Sequence, residues 1–298
     1  MCGIVGLLIK NPTMRHQLGE LMTPMLIEMA VRGPESAGMA VFTQALPEQA
    51  RKYSVYAPTW DYHWEEFEAA FTAGFRTEAD MVIKGNHAVL ICDVPAHAVK
   101  PWVKECFPQL HLLAAGQSMD IYKDIGHAAD IAQRYDFAKL TGTHLVGHTR
   151  MATESAVTPD RAHPFTAGED FCLVHNGTIS NPFMIRRKLE HQGIRFDTDN
   201  DSEAATRFLE WRMREGDDLE TALQRGFEEL DGFYTFLIGT RDKLALVRDA
   251  FACKPAIAAE TDDYVAIASE FRALAHLPGV NQAQLFEPMP EELYVWSI

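Results

Sequence analysis

The sequence predicts an α+β fold in which two sheets stack face to face with helices on their outer sides, and three observations lead there. The second half reads as two consecutive helices followed by a run of short apolar strands, not as strand and helix in alternation. The first half supplies further apolar strand patterns at 3–9, 39–42 and 143–149. With 47% hydrophobic residues in 298, the chain can bury the core of one large domain or two ordinary ones. A doubly wound parallel sheet would need a crossover helix between successive strands, and the stretch from 233 to 268 has no room for one.

Taken in order, 3–9 is a short apolar run closed by the turn chemistry of Asn11-Pro12-Thr13. Leu18, Leu21, Met22, Met25, Leu26 and Met29 recur at helical spacing, with Pro24 expected to kink the helix or shift its start. The loop 32–38 breaks the pattern before a strand at 39–42. Segment 43–140 is too long for a loop and is read as an inserted subdomain, with strand-like material at 79–94 and a helical pattern at 121–140. Its aromatic opening, Tyr53, Tyr56, Trp60, Tyr62, Trp64 and Phe67, suits a small core or an interface. A strand at 171–174 runs into His175-Asn176-Gly177, and Asn181-Pro182 reads as the N-cap and first residue of a helix that Gly193 ends. Helices are predicted over 203–214 and 219–230, then strands at 233–239, 244–248, 256–259 and 264–268.

Charge narrows the partners. Against 42 acidic residues stand 27 basic ones, a net charge of −15 that opposes binding to nucleic acid or anionic membranes. No apolar run reaches the roughly 20 residues of a membrane span, and no secretory leader pattern opens the chain, so a cytoplasmic location is expected. The cysteines, Cys2, Cys92, Cys106, Cys172 and Cys253, are scattered without C-x-x-C spacing, and the histidines do not cluster as ligands, so neither a disulfide framework nor a metal site is indicated.

Four places carry chemistry. Cys2 becomes the chain terminus once Met1 is removed, placing a thiol nucleophile and a free α-amine on one residue; that amine, with a reference pKa of about 7.7–8.0, can serve as its general base. Arg150 at a strand end can meet a carboxylate bidentately. Asn176 and Gly177 supply an amide side chain and a backbone N–H side by side, a donor pair for a developing oxyanion. Most acidic residues in 197–203 are explained by helix capping, and Asp201 is reserved for a substrate amine. Arg32, Gly33 and Glu35 are read as the supporting shell of the terminus.

The ordered set Cys2-Gly3-Ile4-Val5-Gly6, Arg32-Gly33-Pro34-Glu35-Ser36, His148-Thr149-Arg150-Met151-Ala152-Thr153, His163-Pro164-Phe165, Val174-His175-Asn176-Gly177 and Asn200-Asp201-Ser202-Glu203 resembles the class II glutamine amidotransferases. So do Leu230-Asp231-Gly232-Phe233-Tyr234, Arg248-Asp249 with Lys254-Pro255, and Ala268-Ser269-Glu270. The resemblance spans residues 2–298 and implies a four-layer αββα sandwich of the N-terminal-nucleophile hydrolase type that converts glutamine to glutamate and ammonia. It makes Cys2 the nucleophile and Asn176 and Gly177 the oxyanion hole. Arg150 would hold the glutamine α-carboxylate and Asp201 its α-ammonium, with Thr153 and His163 nearby. Glu35 stands where many relatives have Asp.

The runs 150–158 and 252–256 look most like the separate amidotransferase subunit of glutamate-synthase-like complexes, including N-methylglutamate synthase. That likeness implies an acceptor domain supplied in trans, by a β-helical subunit and a subunit carrying FMN and an iron–sulfur cluster, with no cofactor in this chain. Two other readings stand beside it: a free-standing glutaminase or γ-glutamyl hydrolase, and a catalytically silent glutamine-sensing scaffold.

Overall fold

Strand β1 (Gly3–Ile9) runs through the middle of the molecule and is buried on both faces, which is why its sequence is a continuous apolar run without alternation. The computed structural model describes residues 2–151 and 157–298. After β1 come α1 (Leu18–Glu28), β2 (Ser36–Phe42), β3 (Arg51–Tyr56), α2 (Trp64–Phe75), β4 (Asp80–Lys84), β5 (His87–Cys92), α3 (Ala96–Cys106), β6 (His111–Gly116), β7 (Met119–Ile125), α4 (Ala128–Arg134) and β8 (His144–Arg150). The second half holds β9 (Phe165–Thr166), β10 (Phe171–Ile179), α5 (Pro182–His191), α6 (Asp201–Arg214), α7 (Leu219–Glu229), β11 (Gly232–Thr240) and β12 (Lys243–Arg248). It closes with β13 (Ile257–Glu260), β14 (Tyr264–Ala268), β15 (Gln284–Phe286) and β16 (Tyr294–Ser297).

Two antiparallel sheets, β15-β13-β14-β1-β8-β2-β7 and β16-β12-β11-β10-β9, stack with helices on both outer faces, the four-layer αββα sandwich that was expected. Three apolar cores separate the four layers. Val5, Leu7 and Leu145 pack against Met22, Met25 and Leu26 of α1. Ile4, Leu8 and Val146 meet Val174, Leu237 and Leu246 between the sheets. Leu173, Phe236 and Ile238 pack against Phe208, Leu209 and Leu223 of α6 and α7. Gly6 belongs to the inner face, where a Cβ would come within 2.7 Å of Leu237 Cδ2, so its bareness sets how closely the sheets approach.

Segment 43–140 divides. Residues 51–116 form a separate four-stranded sheet, β4-β5-β3-β6, covered by α2 and α3 around Tyr53, Trp64, Phe67, Phe71, Leu90 and Val99. Most of the opening aromatics line this small core, whereas Trp60 is 54% exposed. Beyond Gly116 the chain returns to the main sandwich. The helical pattern expected over 121–140 is corrected: Met119–Ile125 is the edge strand β7, paired along its whole length with β2, and only α4 and a 3-10 turn at Phe137–Lys139 follow it. Cross-strand pairing with an existing edge overrides the weak helical spacing there. The buried Asp170 carboxylate accepts the backbone N–H groups of Gln117, Ser118 and Met119 at 2.8–3.1 Å, fixing the point where the chain re-enters the sandwich.

Two further boundaries differ from the sequence reading. Ser36, Ala37 and Gly38 belong to β2, and the strand expected to stop at 174 continues to Ile179 because its polar residues pair with β11, from Phe171↔Thr240 to Ile179↔Gly232. The helix α1 accommodates Pro24 in its interior, and its start is set at Leu18 after a 3-10 turn at Pro12–Gln17.

Candidate functional site

Cys2 sits immediately before β1 at one end of the sandwich, half-buried, with Sγ 3.9 Å from the carbonyl oxygen of Met151. β1 and β8 are in register at Gly3↔Thr149, so Cys2 and Arg150 emerge side by side. Burial pushes the Cys2 thiol above its usual pKa, and the backbone of Met151 and the charges of Arg150 and Arg32 act against that rise. A thiol held in its protonated form needs a base to become a nucleophile.

Arg32, Gly33 and Glu35 each meet the backbone of a site residue. Arg32 Nε donates to the Cys2 carbonyl at 2.9 Å, and its Nη1 is paired with Glu270 at 2.6 Å, which also pairs with Arg272 at 2.9 Å. The Arg32 clamp is therefore anchored from the segment that follows β14, through a glutamate the sequence reading quoted but gave no task. Glu35 donates its N–H to the Arg150 carbonyl at 3.1 Å. Gly33 lies against the same residue, and a Cβ there would fall 2.5 Å from the Arg150 carbonyl carbon and 2.7 Å from its nitrogen. A Gly33→Ala variant is expected to lose about 1–3 kcal/mol of stability through overpacking, and to shift Arg32 from Cys2. Equilibrium denaturation measures the first effect; an unchanged midpoint would show that the loop gives way freely.

Asn176 and Gly177 lie within β10, which faces β1 and β8 across the sandwich. Asn176 is 3% exposed, and its Nδ2 is buried without a hydrogen-bond partner among the described residues. Leaving a buried amide donor unpaired costs about 1–3 kcal/mol, so such a group calls for a functional explanation. Gly177 has φ +145°, and a Cβ on it would lie 1.9 Å from the Phe233 carbonyl oxygen, so no other residue fits that backbone.

Asp201 opens α6. Its Oδ2 accepts the Ile179 N–H at 2.9 Å, tying the helix start to the end of β10, while the neighbouring N-cap Asn200 accepts the Ser202 N–H. Asn181 occupies the expected N-cap position of α5, and its side chain bridges the Glu229 carbonyl and the Asp231 N–H, at 2.9 and 3.1 Å. Thr153 lies outside the described residues.

Beneath these groups is a buried polar cluster that sequence reading largely missed. His163 Nε2 and His175 Nδ1 both meet Ser202 Oγ, at 3.0 and 2.9 Å. The His163 ring lies 4.1 Å from that of His148, whose Nε2 donates to the His175 carbonyl at 3.1 Å. Burial pushes His148 down to about 3 and His163 well below its usual value, and lowers His175 against the pull of Asp201, so all three rings are neutral at pH 7. Lys123, on β7, is buried beside them. A cavity of about 420 Å³ is lined by this lysine together with Asp160, Phe165, Glu203 and Arg207, and not by Cys2, Arg150, Asn176 or Asp201. Ser202 stood in the quoted run 200–203, and Lys123 is a lone cation in a strand of buried residues, the one local signal that could have marked it. Among the described residues no group of three or more His, Cys, Asp or Glu side chains could hold a metal ion, and no helix is long and apolar enough to cross a membrane.

The sandwich and the cysteine at the start of its central strand point to a class, and comparison with known proteins agrees: the chain belongs to the class II glutamine amidotransferases, an enzyme family. A family model described as a glutamine amidotransferase domain matches residues 148–276. Over 298 residues, covering 100% of this chain and 98% of the relative, it is 43% identical to the glutamine amidotransferase-like protein GlxB of Rhizobium meliloti (strain 1021). It is 31% identical to a putative glutamine amidotransferase of Methanothermobacter thermautotrophicus, covering 99% of both. Among solved structures, glutamine phosphoribosylpyrophosphate amidotransferase from B. subtilis superposes with a TM-score of 0.64 at 18% identity, over 99% of this chain and 47% of that one, which establishes the shared fold.

Proposed function

We propose that this protein is a glutaminase subunit, hydrolysing glutamine to glutamate and ammonia through a γ-glutamyl thioester on Cys2. With Met1 removed, the α-amine of Cys2 takes the thiol proton as sulfur attacks the side-chain amide carbon. The negative charge that develops on the amide oxygen is met by Asn176 Nδ2 and the Gly177 N–H. Collapse of the tetrahedral intermediate breaks the C–N bond, the amine returns the proton to the leaving nitrogen, and ammonia departs. Water, deprotonated by the same amine, then attacks the thioester carbon and releases glutamate with the thiol restored. Arg150 holds the substrate α-carboxylate and Asp201 its α-ammonium, with His163 and Thr153 as further substrate-binding residues. The observation that carries this reading is the unpaired, buried Asn176 Nδ2 beside a glycine whose conformation excludes any side chain.

The ammonia is passed to synthase subunits of a glutamate-synthase-like complex, of which N-methylglutamate synthase is one kind. The motif runs 150–158 and 252–256 support that assignment, which places a β-helical subunit and a subunit bearing FMN and an iron–sulfur cluster alongside this chain in the cytoplasm.

Incubation with an electrophilic glutamine analogue followed by peptide mass analysis tests the first part. Modification confined to the Cys2 peptide and blocked by excess glutamine is expected; labelling elsewhere, or none, would overturn it. For the second part, the native protein should co-purify with a flavin-absorbing partner. A colourless protein that turns over at full rate alone would favour a free-standing glutaminase.

A further inference from the structure

Lys123 is a buried charge that the glutaminase reading leaves without a task. It is paired across the sheet with Gly38, where a Cβ would lie 2.1 Å from the His163 carbonyl oxygen and 2.5 Å from Lys123 Cβ. The missing side chain at Gly38 is what lets the backbone at His163 lie directly on the sheet. Over that backbone the Lys123 Nζ donates to the carbonyls of Ala162 and Pro164, at 2.7 and 3.1 Å, with the Asp160 carbonyl at 3.5 Å. These acceptors are backbone oxygens, not carboxylates, so among the described residues the ammonium is desolvated without a contact ion pair, an arrangement that is costly in general. Burial pushes its pKa down to about 8, while the more distant charges of Asp160 and Glu203 hold it up and that of Arg150 lowers it further. It remains protonated at pH 7, with three N–H donors for three carbonyls.

The residue gripped on both sides is His163, and its ring touches His148 and Ser202, each close in sequence to a substrate contact. It lies tilted against the His148 ring, two residues before Arg150, and meets Ser202, next to Asp201; Ser202 in turn meets His175, next to Asn176. We propose that Lys123 is a positioning residue of the glutamine site: by holding the carbonyls flanking His163 it fixes the ring that sets Arg150 and Asp201 for the two ends of the substrate. The proposal rests on the glutaminase reading and adds to it a residue remote from the reacting atoms.

Lys123→Met tests it in two assays. In steady-state hydrolysis the KM for glutamine is expected to rise about tenfold with kcat changed less than about threefold, since the contacts disturbed are to groups unchanged in the reaction. On a Cys2→Ala background, calorimetric glutamine binding should weaken by the same factor, a readout that survives even if wild-type turnover is absent and the glutaminase reading fails. Lys84→Met, which removes a half-buried lysine bonded to the Tyr135 carbonyl, serves as the control and should leave both unchanged. A folded Lys123→Met protein with wild-type KM and binding overturns the proposal. If that variant does not fold, Lys123→Gln, which keeps N–H donors without the charge, decides on the same readouts. Failure of both to fold also overturns it, because Lys123 would then be a requirement of the fold rather than of substrate placement.

Discussion

Replacing Cys2 with serine or alanine is expected to lower glutamine hydrolysis by about 10³-fold or more, because the proposed chemistry passes entirely through its sulfur. Folding should be untouched. Cys2 lies outside β1, its side chain is half-buried, and the contact that fixes it, from Arg32, is made to its carbonyl oxygen, which every substitution keeps. Thermal unfolding of the variants should therefore superpose on wild type while hydrolysis vanishes. A retained N-terminal methionine should have a similar effect, since it removes the free amine that the raised thiol pKa makes necessary. The pH profile carries the sign: with the amine as base, kcat/KM rises as the amine loses its proton, around its reference pKa of about 7.7–8.0. Near-normal turnover in Cys2→Ala, or full activity in protein shown by intact mass to keep Met1, would end this mechanism.

Arg150→Ala and Asn176→Ala are expected to fail in opposite ways. Arg150 would contact a carboxylate that is the same in substrate and transition state, so its loss should raise KM by about 10–100-fold, the size of a lost charge-assisted hydrogen bond or two, with little change in kcat. Asn176 would meet a charge that exists only once the amide has been attacked. Its loss should lower kcat by about 10²–10³-fold and leave KM nearly unaltered. Removing Asn176 also removes an unpaired buried donor, so the variant should be no less stable than wild type apart from the volume lost. Steady-state kinetics on the two variants decide between the roles, and the reverse pattern would mean that they are exchanged.

How much of this was legible beforehand can be judged from particular elements. Tyr264–Ala268 and Gly3–Ile9 were read at their observed limits because each is a continuous apolar run ended by turn or polar residues. Helices α6 and α7 were placed within two residues, their caps and apolar stripes being local features. Strand β7 was misread as helix, and β10 was cut short at its polar residues. In both, the deciding partner, β2 or β11, is distant in sequence, and pairing with it outweighs local pattern.

The sequence by itself determined the class, through an ordered set of short motifs, and it nominated Cys2, Arg150, Asn176, Gly177 and Asp201 because their chemistry is a property of residue type. Only the tertiary structure decided what holds them. The Arg32 clamp on the Cys2 carbonyl, the Glu270 that anchors it, Gly33 against Arg150, and the grip of Lys123 around His163 are contacts between segments far apart in the chain. Such contacts leave no local period in the sequence. They arise from burial, where an unpaired polar group is costly, and the fold has to supply its partner from whichever strand end lies within reach.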